Sequence, residues 1–143
     1  MADVIAALIA LLKADAAVAA LVGSGAAARV FGGELPPAET RFMPRAAIVL
    51  AASGGASLTG GSYAEHDTQR VDLFAYGATP AEADGLLRAA ALALRRARRG
   101  VWGGTIIHWA NAAGGFSSGR DRDAAWPRGF QSFQVFHGLE AVA

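Results

Sequence analysis

The sequence contains no cysteine. Without thiols the chain can form no disulfide, no thiol nucleophile, no cysteine-bearing zinc site and no thiolate-held iron–sulfur cluster. Histidine is also scarce: His66, His108 and His137 are the only three, and their spacing matches no metal-binding motif. We therefore interpret each as a solvated or locally hydrogen-bonded side chain, and we predict no cofactor and no enzymatic activity.

Net charge is almost absent, since 13 basic residues face 12 acidic ones and leave a formal charge of +1. The chain therefore lacks the overall positive charge that is typical of a nucleic-acid-binding protein. Any function of its basic residues must depend on a local cluster. The strongest local concentration is the basic cluster, Arg95, Arg96, Arg98 and Arg99. In a last helical turn such cations complement the helix dipole. The alternative is contact with an acidic partner surface or with DNA phosphates.

Long hydrophobic runs are missing as well. The apolar run that begins at Val4 stops at Lys13, which is too short to span a bilayer, and it follows an acid rather than a basic signal-peptide start. These features predict a soluble protein made in the cytoplasm with no membrane partner. The 143 residues are expected to form a single domain, over residues 1–143.

Helix signals are clear at three places. Asp3 is a suitable N-cap for an amphipathic helix over Val4–Leu12, and Asp15 can cap a second helix that ends at Gly23. The run Thr79-Pro80-Ala81-Glu82 combines a hydroxyl cap, a proline at the first helical position and a glutamate at the end of the first turn. A long helix is therefore predicted from there through the basic cluster to Gly100.

Strand signals come in adjacent pairs rather than alternating with helices. Val71, Leu73 and Ala75 alternate with polar or aromatic neighbours, as in a half-buried strand. The predicted strands are Arg29–Phe31, Ala46–Ala52, Tyr63–Tyr76, Thr105–Ala112 and Gly129–Leu139, with a polar turn region at Gly114–Arg128 between the last two. This order predicts an α+β fold: a mostly antiparallel sheet packed against two main helices, with long loop and hairpin arms.

The glycine-rich stretch Ser53–Ser62 joins two of these strands. It has neither the P-loop motif nor the strand, glycine-rich turn and helix order of a dinucleotide site. We interpret it as an interface arm that reaches a partner protein. Its candidate residues are Ser53, Gly54, Gly55, Leu58, Gly60 and Gly61.

The order of elements resembles the tail terminator, or tail-completion, proteins of long-tailed phages and gene transfer agent particles. The resemblance is strongest over Ala6–Gly23, where an opening helix precedes a short helix that starts Asp-Ala-Ala-Val, and in Arg29-Val30-Phe31-Gly32. It continues through the strands at Ala46–Leu50 and Val71–Tyr76, the helix of Glu82–Arg99 and the closing strands that end at Phe133–Leu139. The likeness runs over nearly the whole chain.

This resemblance implies a structural virion protein of the tail that is not an enzyme. Proteins of this family form a ring, usually a hexamer, at the head-proximal end of the tail tube. The ring ends tube growth and joins the tail to the head connector. The implied partners are further copies of the chain, the tail-tube protein, a head-completion or stopper protein, and DNA passing through the lumen, where the basic cluster would face it.

Two alternatives stay open at this point. A head-completion or tail-tube protein would share the small size and the arm-like loops. A small hydrolase or ligand-binding domain would instead use His66 or His108 in an ordered pocket with convergent polar groups.

Overall fold

The computed structural model describes residues 3–54 and 66–140. The helices are α1 (Val4–Ala14), α2 (Ala16–Val22), α3 (Pro37–Thr40) and α4 (Pro80–Arg96), with a 3₁₀ turn at Gly25–Ala27. The strands are β1 (Val30–Gly32), β2 (Ala47–Ala52), β3 (His66–Tyr76), β4 (Gly100–Trp102), β5 (Thr105–Ala112), β6 (Ser117–Arg120) and β7 (Pro127–Gly138).

The strands form one seven-stranded sheet, in which six follow the order β1-β2-β3-β7-β5-β4 and β6 pairs with β7 outside this order. Only the β1–β2 pair is parallel among the described strands, so the predicted α+β class and the mostly antiparallel sheet are confirmed. The predicted hairpin is also present, because β2 and β3 pair from Ala47 opposite Tyr76 to Ala52 opposite Val71. The long strand β7 pairs with β3 on one side and with β6 and then β5 on the other.

Side-chain caps begin the three longer helices at the residues that the sequence predicts. Asp3 accepts a hydrogen bond from the Ala6 amide, and Asp15 accepts one from the Val18 amide, each at 3.0 Å. The Thr79 hydroxyl accepts from the Glu82 amide at 3.2 Å, and the Glu82 carboxylate accepts from the amide just before the cap. Each cap satisfies an amide that the helix itself leaves without a partner.

The main core lies between one face of the sheet and the two main helices α1 and α4, and the short helix α2 also packs into it. Phe133 of β7 is completely buried at its centre, with Leu73 from β3 and Leu87 from α4 in the same cluster. The other face of the sheet carries no helix of comparable length among the described residues. It has a smaller cluster around Val49 and Tyr76, covered in part by Trp126.

Several predicted boundaries are wrong. Helix α4 ends at Arg96, and Ala97 has extended backbone, because the chain must reverse to pair Gly100–Trp102 with β5. Strand β4, and strand β6 inside the supposed turn region, were not predicted, because neither Gly100–Trp102 nor Ser117–Arg120 shows a clear alternation of apolar and polar residues.

In the described ranges, 3–54 and 66–140, no single helix is long and apolar enough to cross a membrane. Helices α1 and α2 reach that length only as a pair bent by 90°.

Candidate interaction surfaces

The basic cluster sits at the end of α4 and directly after it. Arg95 and Arg96 occupy the last helical turn, whereas Arg98 and Arg99 follow the extended residue that ends the helix. All four side chains are exposed, and none forms an ion pair with a residue that the structure describes. Favourable interaction with the helix dipole therefore accounts for two of the four cations, Arg95 and Arg96.

The beginning of the interface arm continues the β2–β3 hairpin. The Ser53 amide donates to the Arg70 carbonyl, and the Arg70 amide donates to the Gly54 carbonyl, both at 2.9 Å. Gly54 has φ +82°, a conformation that favours glycine and turns the chain out of the strand. The other arm residues, Gly55, Leu58, Gly60 and Gly61, lie outside the described residues. The interface arm therefore stays a prediction.

Two of the three histidines meet on the helix-free face of the sheet. His108 Nε2 and His66 Nδ1 are 2.9 Å apart, a hydrogen-bonding distance, although β7 lies between their strands. Gly138 of β7 has no side chain to intrude on this contact, since a Cβ at that position would lie 3.8 Å from His66 Nδ1. An irregularity in the β5–β7 pairing also places His108 beside Phe136, at 4.8 Å between ring centroids. The third histidine, His137, is buried on the opposite face.

The histidine pair gives the ligand-binding alternative its strongest support, since sequence spacing alone could not bring residues 66 and 108 together. It does not by itself make a metal or catalytic centre. In the part of the chain that the structure describes, no group of three or more histidine, aspartate or glutamate side chains is placed to hold a metal ion. The pair is better understood as a hydrogen bond packed against the ring of Phe136.

The pKa of His108 lies below its ordinary value of 6.5. Partial burial is the main cause, followed by the positive charges of His66, Arg99 and His137. The unfolded chain therefore binds a proton at His108 more tightly than the folded chain does. The resulting contribution of neutral His108 to the free energy of unfolding is fully present above about pH 6.5. It is lost as the pH falls through that value toward the folded-state pKa.

We expect the urea midpoint of unfolding to fall between about pH 7.5 and about pH 5, and His108→Gln to remove part of that fall. Chemical denaturation of both proteins across this pH range measures the effect. An identical pH dependence in the two proteins would contradict the assignment to His108.

A groove on the helix-bearing side of the molecule runs between α4 and the segment before β6. We call it the arginine groove; its volume is about 330 Å³, and its lining is Leu87, Arg88, Ala91, Leu92, Arg95, Phe116 and Gln131. Leu92 and Phe116 are each 46% exposed, which makes them two of the five large apolar side chains that stay exposed in the described ranges. The Arg88 guanidinium lies over the Phe116 ring, 5.9 Å from its centroid.

A second concave surface, of about 440 Å³, lies on the helix-free face. We call it the acidic cleft, because Glu34, Asp121 and Asp123 lie on it beside Phe74, Tyr76 and Trp126. Arg128 partly neutralises Asp121, with Nη1 3.5 Å from its carboxylate, and its guanidinium stacks over Phe74. Neither concave surface could be predicted, because each is assembled from segments far apart in the chain.

The arrangement of sheet and helices recurs in a known particle. A chain from the solved structure of the virion of a native gene transfer agent particle matches this fold with a TM-score of 0.65. The match covers 94% of this chain and 94% of that chain at 20% identity. The protein is thus a small α+β domain that shares its fold with a chain of a virion.

The sequence itself identifies the family. The chain belongs to the tail completion protein gp17 family, whose sequence model matches residues 6–138. No curated protein matches it. The predicted family resemblance is confirmed, and the chain is a structural protein of the tail of a phage or gene transfer agent particle.

Proposed function

We propose that this protein is a tail terminator: a homohexameric ring at the head-proximal end of the tail tube that ends tube growth and joins the tail to the head connector. Membership of the tail completion family is the observation that carries the proposal. Its partners would be the tail-tube protein on one side and a head-completion or stopper protein on the other. Charged side chains that form no ion pair with a described residue lie on both faces of the fold, and exposed apolar side chains lie in the arginine groove. Both features are compatible with such multiple contacts.

Light scattering over a concentration series, alone and with the tail-tube protein, tests ring formation. We expect a hexamer mass, or a monomer that becomes a ring only on the tube. A protein that stays monomeric at every concentration and does not bind the tail-tube protein would overturn the proposal.

Deletion of the gene separates this role from that of a head-completion or tail-tube protein. Loss of a terminator should give overlong or unjoined tails in electron micrographs, whereas loss of a tube protein should give no tails. Normal-length tails attached to heads would exclude a terminator role.

The exposed basic cluster suggests a place for DNA. We propose that these arginines face the lumen, where their charge attracts passing DNA phosphates without reading sequence. Replacing all four by glutamine should weaken binding to non-specific duplex DNA. It should also reduce the slope of log affinity against log salt by about 0.9 for each arginine that contacts a phosphate.

A matched control separates this role from a general charge effect. Arg41, Arg70 and Arg122 are exposed elsewhere on the fold, and replacing them by glutamine removes a similar charge. Fluorescence anisotropy of labelled DNA at several salt concentrations compares the two variants. Equal losses in both would contradict a specific role for the basic cluster.

A further inference from the structure

The arginine groove contains two cations that form no ion pair within the described part of the chain. Arg88 and Arg95 are both on α4 and seven positions apart, so they lie near each other along one side of the helix. Neither forms an ion pair with any residue in the described ranges. Between and beside them lie the exposed apolar side chains of Leu92 and Phe116. Arginines beside exposed aromatic and aliphatic groups are typical of protein interfaces, and these two would complement a surface that carries carboxylates.

The acidic cleft offers that complement on the same chain. Glu34 and Asp123 are exposed, and neither carboxylate is in an ion pair with a residue that the structure describes. Asp123 belongs to the tight turn Asp121–Trp126, in which the Asp121 carboxylate accepts from two backbone amides and so fixes the turn. These two anions on the rim thus match the two cations in the groove.

The two surfaces lie on opposite faces of the sheet. The groove is bounded by α4, which packs on the helix-bearing face, whereas Val49, Phe74 and Tyr76 of the cleft belong to the other face. One copy can therefore use both surfaces at once with two different neighbours. A head-to-tail contact in a closed ring requires two such different, complementary surfaces on every subunit.

We propose that the arginine groove of one copy binds the acidic rim of the cleft, with Glu34 and Asp123, on the next copy. This inference rests on the proposed ring and names the surfaces that would close it. In this contact Arg95 binds the next copy, so that Arg96, Arg98 and Arg99 are the members of the basic cluster that face the lumen. The attraction between opposite charges would orient the subunits head to tail, and the apolar side chains in the groove would become buried on contact.

Paired charge reversals test the contact. Arg88→Glu with Arg95→Glu gives every subunit two acidic surfaces, and Glu34→Arg with Asp123→Arg gives every subunit two basic ones. Each double variant alone should self-associate at least about tenfold more weakly than the wild type, because like charges then face each other. An equimolar mixture should recover the association, since alternating subunits restore opposite charges at every contact. Analytical ultracentrifugation measures all three samples.

A double variant with Lys13→Glu and Arg70→Glu provides the control, because it makes the same change in charge away from both surfaces. It should assemble like the wild type, and circular dichroism checks that every variant is folded. If the charge-reversed variants associate as strongly as the wild type, or if their mixture stays dissociated, the proposed contact is wrong, although the protein could still form a ring through other surfaces. A wild-type chain that never associates, alone or with the tube protein, would overturn both.

Discussion

Replacing Phe133 by alanine is expected to lower the free energy of unfolding by about 3–5 kcal/mol. Phe133 is completely buried in the middle of β7, which pairs with β3 on one side and β5 on the other. Removing its ring leaves a cavity between the sheet and the helices that surrounding strands cannot close without losing register. Since small domains are stable by about 5–15 kcal/mol, this loss would be a large share of the total.

Urea denaturation followed by circular dichroism measures this effect. Phe136 is the matched control, because it lies on the same strand but on the helix-free face, where its side chain is only partly buried. Phe136→Ala should cost clearly less than Phe133→Ala. Equal costs would mean that the helix-bearing face does not hold the main core.

The second large effect is expected at Gly77, which links the end of β3 to the start of α4. A Cβ at this position would lie 2.5 Å from the Ala83 amide nitrogen and 2.9 Å from Glu82 Cβ, both in the first turn of α4. Because the nearest atom is backbone, the helix itself must move to make room. Gly77→Ala should therefore destabilise the fold by about 1–3 kcal/mol, the usual cost of overpacking.

The same substitution at Gly85 should have the opposite effect on the free energy of unfolding. Gly85 lies inside α4, and a Cβ there would meet nothing within 4 Å. Alanine should stabilise the helix by about 0.5–1 kcal/mol, since it restricts the unfolded chain and favours helix. Thermal unfolding of both variants tests the pair. A Gly77→Ala protein as stable as the wild type would show that the β3–α4 junction is not as tight as described.

The helix starts could be predicted because their cause is local. Asp3, Asp15 and Thr79 each cap an amide three residues further along the chain, so the signal and its effect lie within one turn. The alternation in Val71–Tyr76 is local in the same way, and it correctly predicts which side chains of β3 face the core. The end of α4 was not predictable on these grounds, because helix propensity continues through the basic cluster.

The candidate surfaces likewise differ in whether their residues lie close together in the sequence. The basic cluster is visible in the sequence because its members are nearly consecutive, and exposure is the usual state of arginine. The arginine groove and the acidic cleft are not visible, because each joins side chains from distant segments. Glu34 and Asp123 share a surface only because the segment after β1 and the turn before β7 come together at the same cleft.

The sequence by itself therefore determined the family, the α+β class, the capped helices and the faces of the longer strands, all of which follow from contacts within a few residues or from overall order. The tertiary structure alone decided where the short strands pair and how the surfaces form. Ser132 donates to the Asp72 carboxylate across 60 residues of chain, and His66 meets His108 across 42. Such contacts depend on the register of β7 between β3 and β5, which no local pattern encodes.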